Sequence, residues 1–243
     1  MNGNSQPAET APAGELALLR LLHLADSALP IGSLAHSFGI ETLVDGELLD
    51  VGKLPDFLSG YLQEAGLLEA AALRGAFRLA SRGCSEFPAA EWVSLNDLLS
   101  ALKPARECRM ASATLGKNFL RTVAELTGGP VLQHAWKCSM ETESLVHQST
   151  AFGLASAVLR FDEDNAVLAF LHQMSANLVS ACQRLLPLGQ TEAMRILWNL
   201  KPTMSETAAR SAACSLDTAC CTMPLTDWGA MEHPALRTRL FVS

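Results

Sequence analysis

Asp26, His36 and Ser37 are residue types that could serve hydrolysis, with serine as nucleophile, histidine as base and aspartate to orient the ring. The spacing argues against it. Neighbours on a helix project about 100° apart, so His36 cannot readily serve the adjacent Ser37, and no G-x-S-x-G elbow or glycine-rich oxyanion turn accompanies them. The plainer reading has Asp26, Ser27 and Ser37 capping helix ends and tying down a turn at Pro30 and Gly32. Cys214, Cys220, Cys221 and His233 form the only cysteine/histidine cluster, whose soft ligands suit nickel or zinc. A C-x-x-C pair is missing and the adjacent cysteines diverge, so core or incidental thiols fit better than a metal site. His23, His134, His147 and His172 are scattered over helical faces, and no P-loop is present to hold a nucleotide. Glu41 reads first as a solvated helix carboxylate. Arg184 reads as a cation favoured near a helix C-terminus.

Helical periodicity positions these groups, and β-type alternation is nearly absent from Glu15 onward. Tyr61, Ala65, Leu68, Ala72, Ala76 and Leu79 recur at three- and four-residue spacing. Leu168, Leu171, Ser175, Leu178, Cys182 and Leu185 draw a second stripe, whose small flanking residues suit the middle of a bundle. Boundaries are marked by Pro55, Pro88, Gly128-Gly129-Pro130, the Asp162-Glu-Asp start and the Pro187/Gly189 stop before Gln190. Pro30 and Gly32 break the first helix, which restarts through Leu34, Phe38 and Leu43; Ser205-Glu206 opens another, and the chain turns irregular after Pro224. The expected fold is an all-α single-domain bundle of about eight to ten helices. It divides into a disordered tail over 1–14, a helical domain over 15–225 and an irregular terminal segment over 226–243.

Composition narrows the function. A net charge of -7 without a Lys/Arg cluster argues against nucleic-acid binding. Hydrophobic residues make up 49% and charged residues only 18%, which implies extra buried surface at subunit contacts. Seven cysteines without framework spacing imply reduced thiols in the cytoplasm. The polar start carries no basic residue and so reads as neither signal nor transit peptide. The most apolar run, Ala166 to Cys182, is interrupted by His172, Gln173, Ser175, Asn177 and Ser180, so no membrane span is expected.

Four blocks carry a resemblance. Leu24 to Glu41 contains A-D-S-A-L-P-I-G and then H-S-F-G-I-E; Glu107-Cys-Arg-Met-Ala-Ser112 is followed by Gly116; Arg184 to Gln190 reads R-L-L-P-L-G-Q; and His233 precedes Arg237, Arg239, Leu240, Phe241 and Ser243. In order and spacing they resemble the signature blocks of the UreF family of urease accessory proteins. Ser33 stands where the family often has a second glycine, Pro234 where it commonly has glutamate, and Tyr61 is the only tyrosine. The resemblance implies a non-enzymatic scaffold that binds UreD (also called UreH) and recruits the nickel-carrying GTPase UreG for delivery to the urease apoprotein. It implies no tightly bound cofactor, nickel passing through the complex, and a homodimer within the assembly. The GTPase-facing surface is expected at His36, Ser37, Glu41 and Arg184. The UreD contact is expected on the terminal segment, at His233, Arg237, Arg239, Leu240 and Phe241. A generic helical interaction module, or a hydrolase using Ser37 and His36, are the alternatives.

Overall fold

The computed structural model describes residues 13–82, 87–142, 144–216, 219 and 221–243; residues 1–12 and Cys220 lie outside them. The chain folds into α1 (Ala13–Leu24), α2 (Ile40–Asp45), α3 (Leu54–Tyr61), α4 (Leu67–Ser81), α5 (Ala89–Ala101) and α6 (Arg106–Thr127). It continues through α7 (Pro130–Glu141), α8 (Gln148–Val158), α9 (Glu163–Leu185), α10 (Gln190–Asn199), α11 (Lys201–Ser211) and α12 (Pro224–Glu232). A π turn, Leu62–Gly66, joins α3 to α4 as one rod, and 3-10 turns occupy Ser33–Ala35 and His233–Ala235. The described residues contain no strand. Counting the rod once and leaving aside the six-residue α2 gives ten helices, so the all-α bundle expected from periodicity is what forms.

Local sequence explains most boundaries. The Asp162 side chain accepts the Asn165 N–H at 2.9 Å and caps α9, while Gly128, at φ +62°, ends α6 in a conformation that side chains disfavour. Pro55, Pro130, Pro202 and Pro224 sit in first turns, where no backbone donor is lost. Three expectations shift for related reasons. The restart after Gly32 comes at Ile40 rather than Leu34, because Phe38 and Gly39 both adopt positive φ. The helix assigned to Ser205 begins at Lys201, and Pro224 opens α12, so the irregular end of the chain begins after Ala235 rather than at Pro224.

Helices α8 and α9 share the middle of the bundle: α8 packs most closely on α4 and α6, while α9 touches α1, α2, α4, α8, α10 and α11. Every residue from Ser149 to Ser156 is buried, whereas Leu168 in the α9 stripe is exposed. Small residues permit this. A Cβ on Gly153 would lie 2.1 Å from the Leu73 carbonyl oxygen of α4, and one on Gly116 of α6 would lie 2.1 Å from that of Val146, just before α8. Phe119, Phe152 and Phe170 stack across the core, with centroids 5.3 and 5.5 Å apart.

Polar groups inside the bundle are cross-linked. The His147 ring bonds Ser100 Oγ at 2.8 Å and Ser112 Oγ at 3.1 Å, and the His147 backbone N–H donates to Asn96 Oδ1. Burial lowers its pKa to about 3, so the ring is neutral and the two hydroxyls supply one donor and one acceptor. Buried Arg74 joins α4 to Asp164 at 2.6 Å, Ser211 Oγ at 2.9 Å and the Ala208 carbonyl. Glu69 takes Lys103 and the Ser149 hydroxyl as partners.

Candidate functional site

The last residues of the described chain fold back onto the turn after α1 and form a clasp. From Leu240 to Ser243 side chains alternate, with Phe241 and Ser243 buried and Leu240 and Val242 exposed, as expected of an extended segment. The backbone pairs with residues 35–37: the Val242 N–H donates to the Ala35 carbonyl at 2.9 Å, and Ser37 N–H to Ser243 O at 2.5 Å. His36 Nδ1 lies 2.7 Å from Ser243 Oγ, and burial holds the His36 pKa below the usual histidine value.

Glu41 is the keystone. Its Oε1 accepts the Leu240 N–H at 2.6 Å, while Oε2 accepts the Phe241 N–H at 3.1 Å and lies 2.9 Å from His233 Nε2. The other ring nitrogen of His233 sits 2.8 Å from Glu107 Oε2, as a close contact outside hydrogen-bond geometry. One carboxylate therefore gathers a histidine and two backbone donors, charge-assisted bonds of the stronger kind. Above it, the Arg184 guanidinium lies 4.2 Å from the Phe241 ring centroid and donates to the Leu34 carbonyl at 2.7 Å.

Helix α12 sets the approach. A Cβ on Gly39 would lie 2.5 Å from the Thr226 carbonyl, and one on Gly229 would lie 2.7 Å from Gly39 O, so both contact positions need glycine. The close fit holds α2 against α12 and brings His233 over Glu41.

The two groups of site residues expected from sequence thus meet in one place. His36, Ser37 and Glu41 lie beneath the terminal segment and do not form an open surface; Arg184 is exposed beside them. Of the terminal group, His233 and Phe241 are buried anchors, while Arg237, Arg239 and Leu240 face solvent. The hydrolase geometry is not formed: Ser37 Oγ accepts the Glu41 N–H at 3.4 Å, His36 turns to Ser243, and exposed Asp26 caps Ala28 N–H at 2.8 Å. Gly32 adopts φ +91°, Gln173 Nε2 reaches the Leu24 and Asp26 carbonyls, and the Pro187–Gly189 stretch leads into Gln190, the first residue of α10. Glu107 and Ser243 are clasp residues that sequence reasoning did not single out. Glu107 opens the second block and Ser243 closes the fourth, so block membership was the signal available for both. His233 stands with two carboxylates, and the described residues hold no group of three or more His, Cys, Asp or Glu able to bind a metal. No described helix is long and apolar enough to cross a membrane.

Known proteins are similar to this chain in sequence. The UreF family model matches residues 48–201. The chain is 32% identical to the urease accessory protein UreF of Rhodopseudomonas palustris (strain BisA53), over the full length of both. It is 33% identical to that of Corynebacterium glutamicum (strain R), covering 92% of this chain and 96% of the relative. The UreF of Nostoc sp. (strain PCC 7120) is 31% identical over 93% of this chain and 95% of its own length.

Proposed function

Because the chain belongs to the UreF family of urease accessory proteins, we propose that it is a non-enzymatic scaffold that binds UreD and recruits the nickel-carrying GTPase UreG. Nickel is cargo in this reading, passed toward the urease apoprotein without a resident site in this chain. The observation that carries the proposal is the convergence of all four blocks on the clasp: Glu41 from the first, Glu107 from the second, Arg184 from the third, and His233 with Phe241 from the last. Residues far apart in sequence that meet at a docked terminal segment suit a binding surface better than a reaction centre.

The clasp sorts the roles. Exposed Arg237, Arg239 and Leu240 contact UreD, while Phe241 and His233 hold them in place from beneath. Arg184 faces UreG at the clasp's edge, and His36, Ser37 and Glu41 fix the backbone it presents. The homodimer face is assigned to α1, where Leu18, Leu19 and Leu22 are 56%, 62% and 59% exposed and Leu19 lines a groove with exposed Leu126. Exposed leucines of this kind fit an interface between copies.

Co-expression with the organism's UreD and UreG, followed by size-exclusion chromatography with and without nickel and GTP, tests the reading. Co-elution with UreD, and addition of UreG that depends on nucleotide, is the expected result. An Arg237→Glu/Arg239→Glu chain should lose UreD. Elution of the unmodified chain apart from both partners would refute the scaffold role.

A further inference from the structure

Both ring nitrogens of His233 face a carboxylate. Nε2 lies 2.9 Å from Glu41 Oε2 on α2 and Nδ1 lies 2.8 Å from Glu107 Oε2 on α6, with the imidazole fully buried between them. Neither Nδ1 nor Glu107 Oε2 makes a hydrogen bond elsewhere in the protein. A neutral imidazole carries one N–H, which serves one carboxylate only, and its second nitrogen then sets a lone pair against a carboxylate oxygen at contact distance. A neutral ring also leaves two like charges buried side by side, which is costly. An imidazolium resolves both conflicts, because each nitrogen then carries a proton and the ring places a positive charge between two negative ones.

The carboxylate that meets the ring also holds the terminal segment. Glu41 accepts the Leu240 and Phe241 N–H groups, so repulsion between Glu41 and Glu107 acts on the anchor of residues 240–243. Among the described residues, Glu41 and Glu107 are the charged groups in ion-pair contact with the ring. On the elements packed around it, Asp45, Arg106, Glu232, Arg237 and Arg239 are exposed, and Asp227 shares a pocket with Lys103. His36, the other histidine of the clasp, bonds Ser243 Oγ, and burial holds its pKa below the usual value, so it stays neutral at pH 7 and above.

We propose that Glu41, His233 and Glu107 form a proton-operated latch: residues 233–243 dock with a proton held on His233 and give it up when they undock, so docking weakens as pH rises. Carried away from the two carboxylates, a histidine in water is neutral above about pH 6.5. Docking above that pH therefore takes up one proton, and the ratio of docked to undocked chain falls by at most about tenfold per pH unit, the limit that a single proton sets. On the reading that Arg237, Arg239 and Leu240 contact UreD, the latch makes that contact stronger at pH 7 than at pH 8.

Hydrogen exchange on the full chain without any partner tests the latch, so its failure is separate from a failure of the UreD assignment. Protection factors, which remove the intrinsic pH dependence of exchange, are read at Ser37 and Val242, with the amides of α8 as reference. From pH 7 to pH 8, protection at Ser37 and Val242 should fall by about threefold to tenfold while α8 is unchanged. In Glu107→Gln the new amide N–H₂ donates to a neutral Nδ1, so the segment stays docked and the fall should disappear; in His36→Gln the fall should persist. The imidazole nitrogen resonances of the docked chain at pH 7, with those of His233 assigned by their loss in His233→Gln, should show two protonated nitrogens. Protection that does not change between pH 7 and pH 8, an equal fall in Glu107→Gln, no fall in His36→Gln, a parallel fall across α8, or an unprotonated Nδ1 at pH 7 would each overturn the proposal.

Discussion

Replacing Glu41 with glutamine should undock the terminal segment while leaving the bundle folded. The carboxylate accepts the Leu240 and Phe241 N–H groups and faces His233 Nε2. Glutamine offers one acceptor oxygen where three donors converge, and it turns an amide N–H₂ toward at least one of them. A hydrogen bond to a charged group contributes about 1.5–3 kcal/mol, so losing one while weakening the others costs the docked state about 2 kcal/mol. That is roughly a thirtyfold rise in the undocked population. Hydrogen exchange reads it directly. The informative amides are Val242 and Ser37, whose partners are Ala35 O and Ser243 O and not Glu41. If the clasp docks as a unit, both should exchange about thirtyfold faster in Glu41→Gln, while amides of the fully buried α8 keep their protection. Exchange at Ser37 and Val242 within threefold of the unmodified chain would show that Glu41 is not the keystone and would refute the argument.

Phe241→Ala removes a buried ring and its contact with Arg184, and should cost the docked segment about 3 kcal/mol, measured as loss of UreD co-purification without a change in helical circular dichroism. Gly153→Ala places a Cβ 2.1 Å from the Leu73 carbonyl, and the overpacking should cost about 3 kcal/mol and lower Tm by about 6–12 °C; an unchanged Tm would mean that α4 and α8 separate freely. His147 has its folded-state pKa depressed to about 3, below its unfolded value, so the unfolded chain takes up the proton first as pH falls. The stability it withholds is absent above about pH 6.5 and grows toward pH 3, reaching about 2 kcal/mol at pH 5; denaturant midpoints at pH 7 and 5 should converge in His147→Gln. Leu19→Arg/Leu22→Arg should change stability by less than about 0.5 kcal/mol, since both leucines face solvent, yet lower the sedimenting mass of the assembly formed with UreD.

Much of the fold is legible along the chain because helices are local. The periodic stripe from Tyr61 to Leu79, the Asp162 cap and the Gly128 stop each depend on residues within a turn or two, and each lands where its spacing places it. Helix α8 was less legible. Gln148–Val158 is built largely of small residues and is buried on every side from Ser149 to Ser156, so it shows no amphipathic stripe, and its importance appears only where Gly153 meets Leu73. The α9 stripe is the more regular one and does run through the middle of the bundle, with Leu168 alone of its members facing solvent.

For the site, sequence determined the parts and the three-dimensional fold determined their relation. The four blocks, their order and the family they belong to are properties of the residues themselves. Glu41 and Arg184 looked like a surface for one partner, and His233 to Phe241 like a free segment for another. The fold joins them across nearly two hundred residues, since Glu41 holds His233, Leu240 and Phe241. No local period encodes that pairing. It depends on two glycines, Gly39 and Gly229, letting α12 approach within backbone contact, and on positive φ at Phe38 turning the chain so that Ser37 can reach Ser243. Helices follow from short-range geometry that sequence displays, whereas the clasp follows from close packing between distant segments, which only the folded chain supplies.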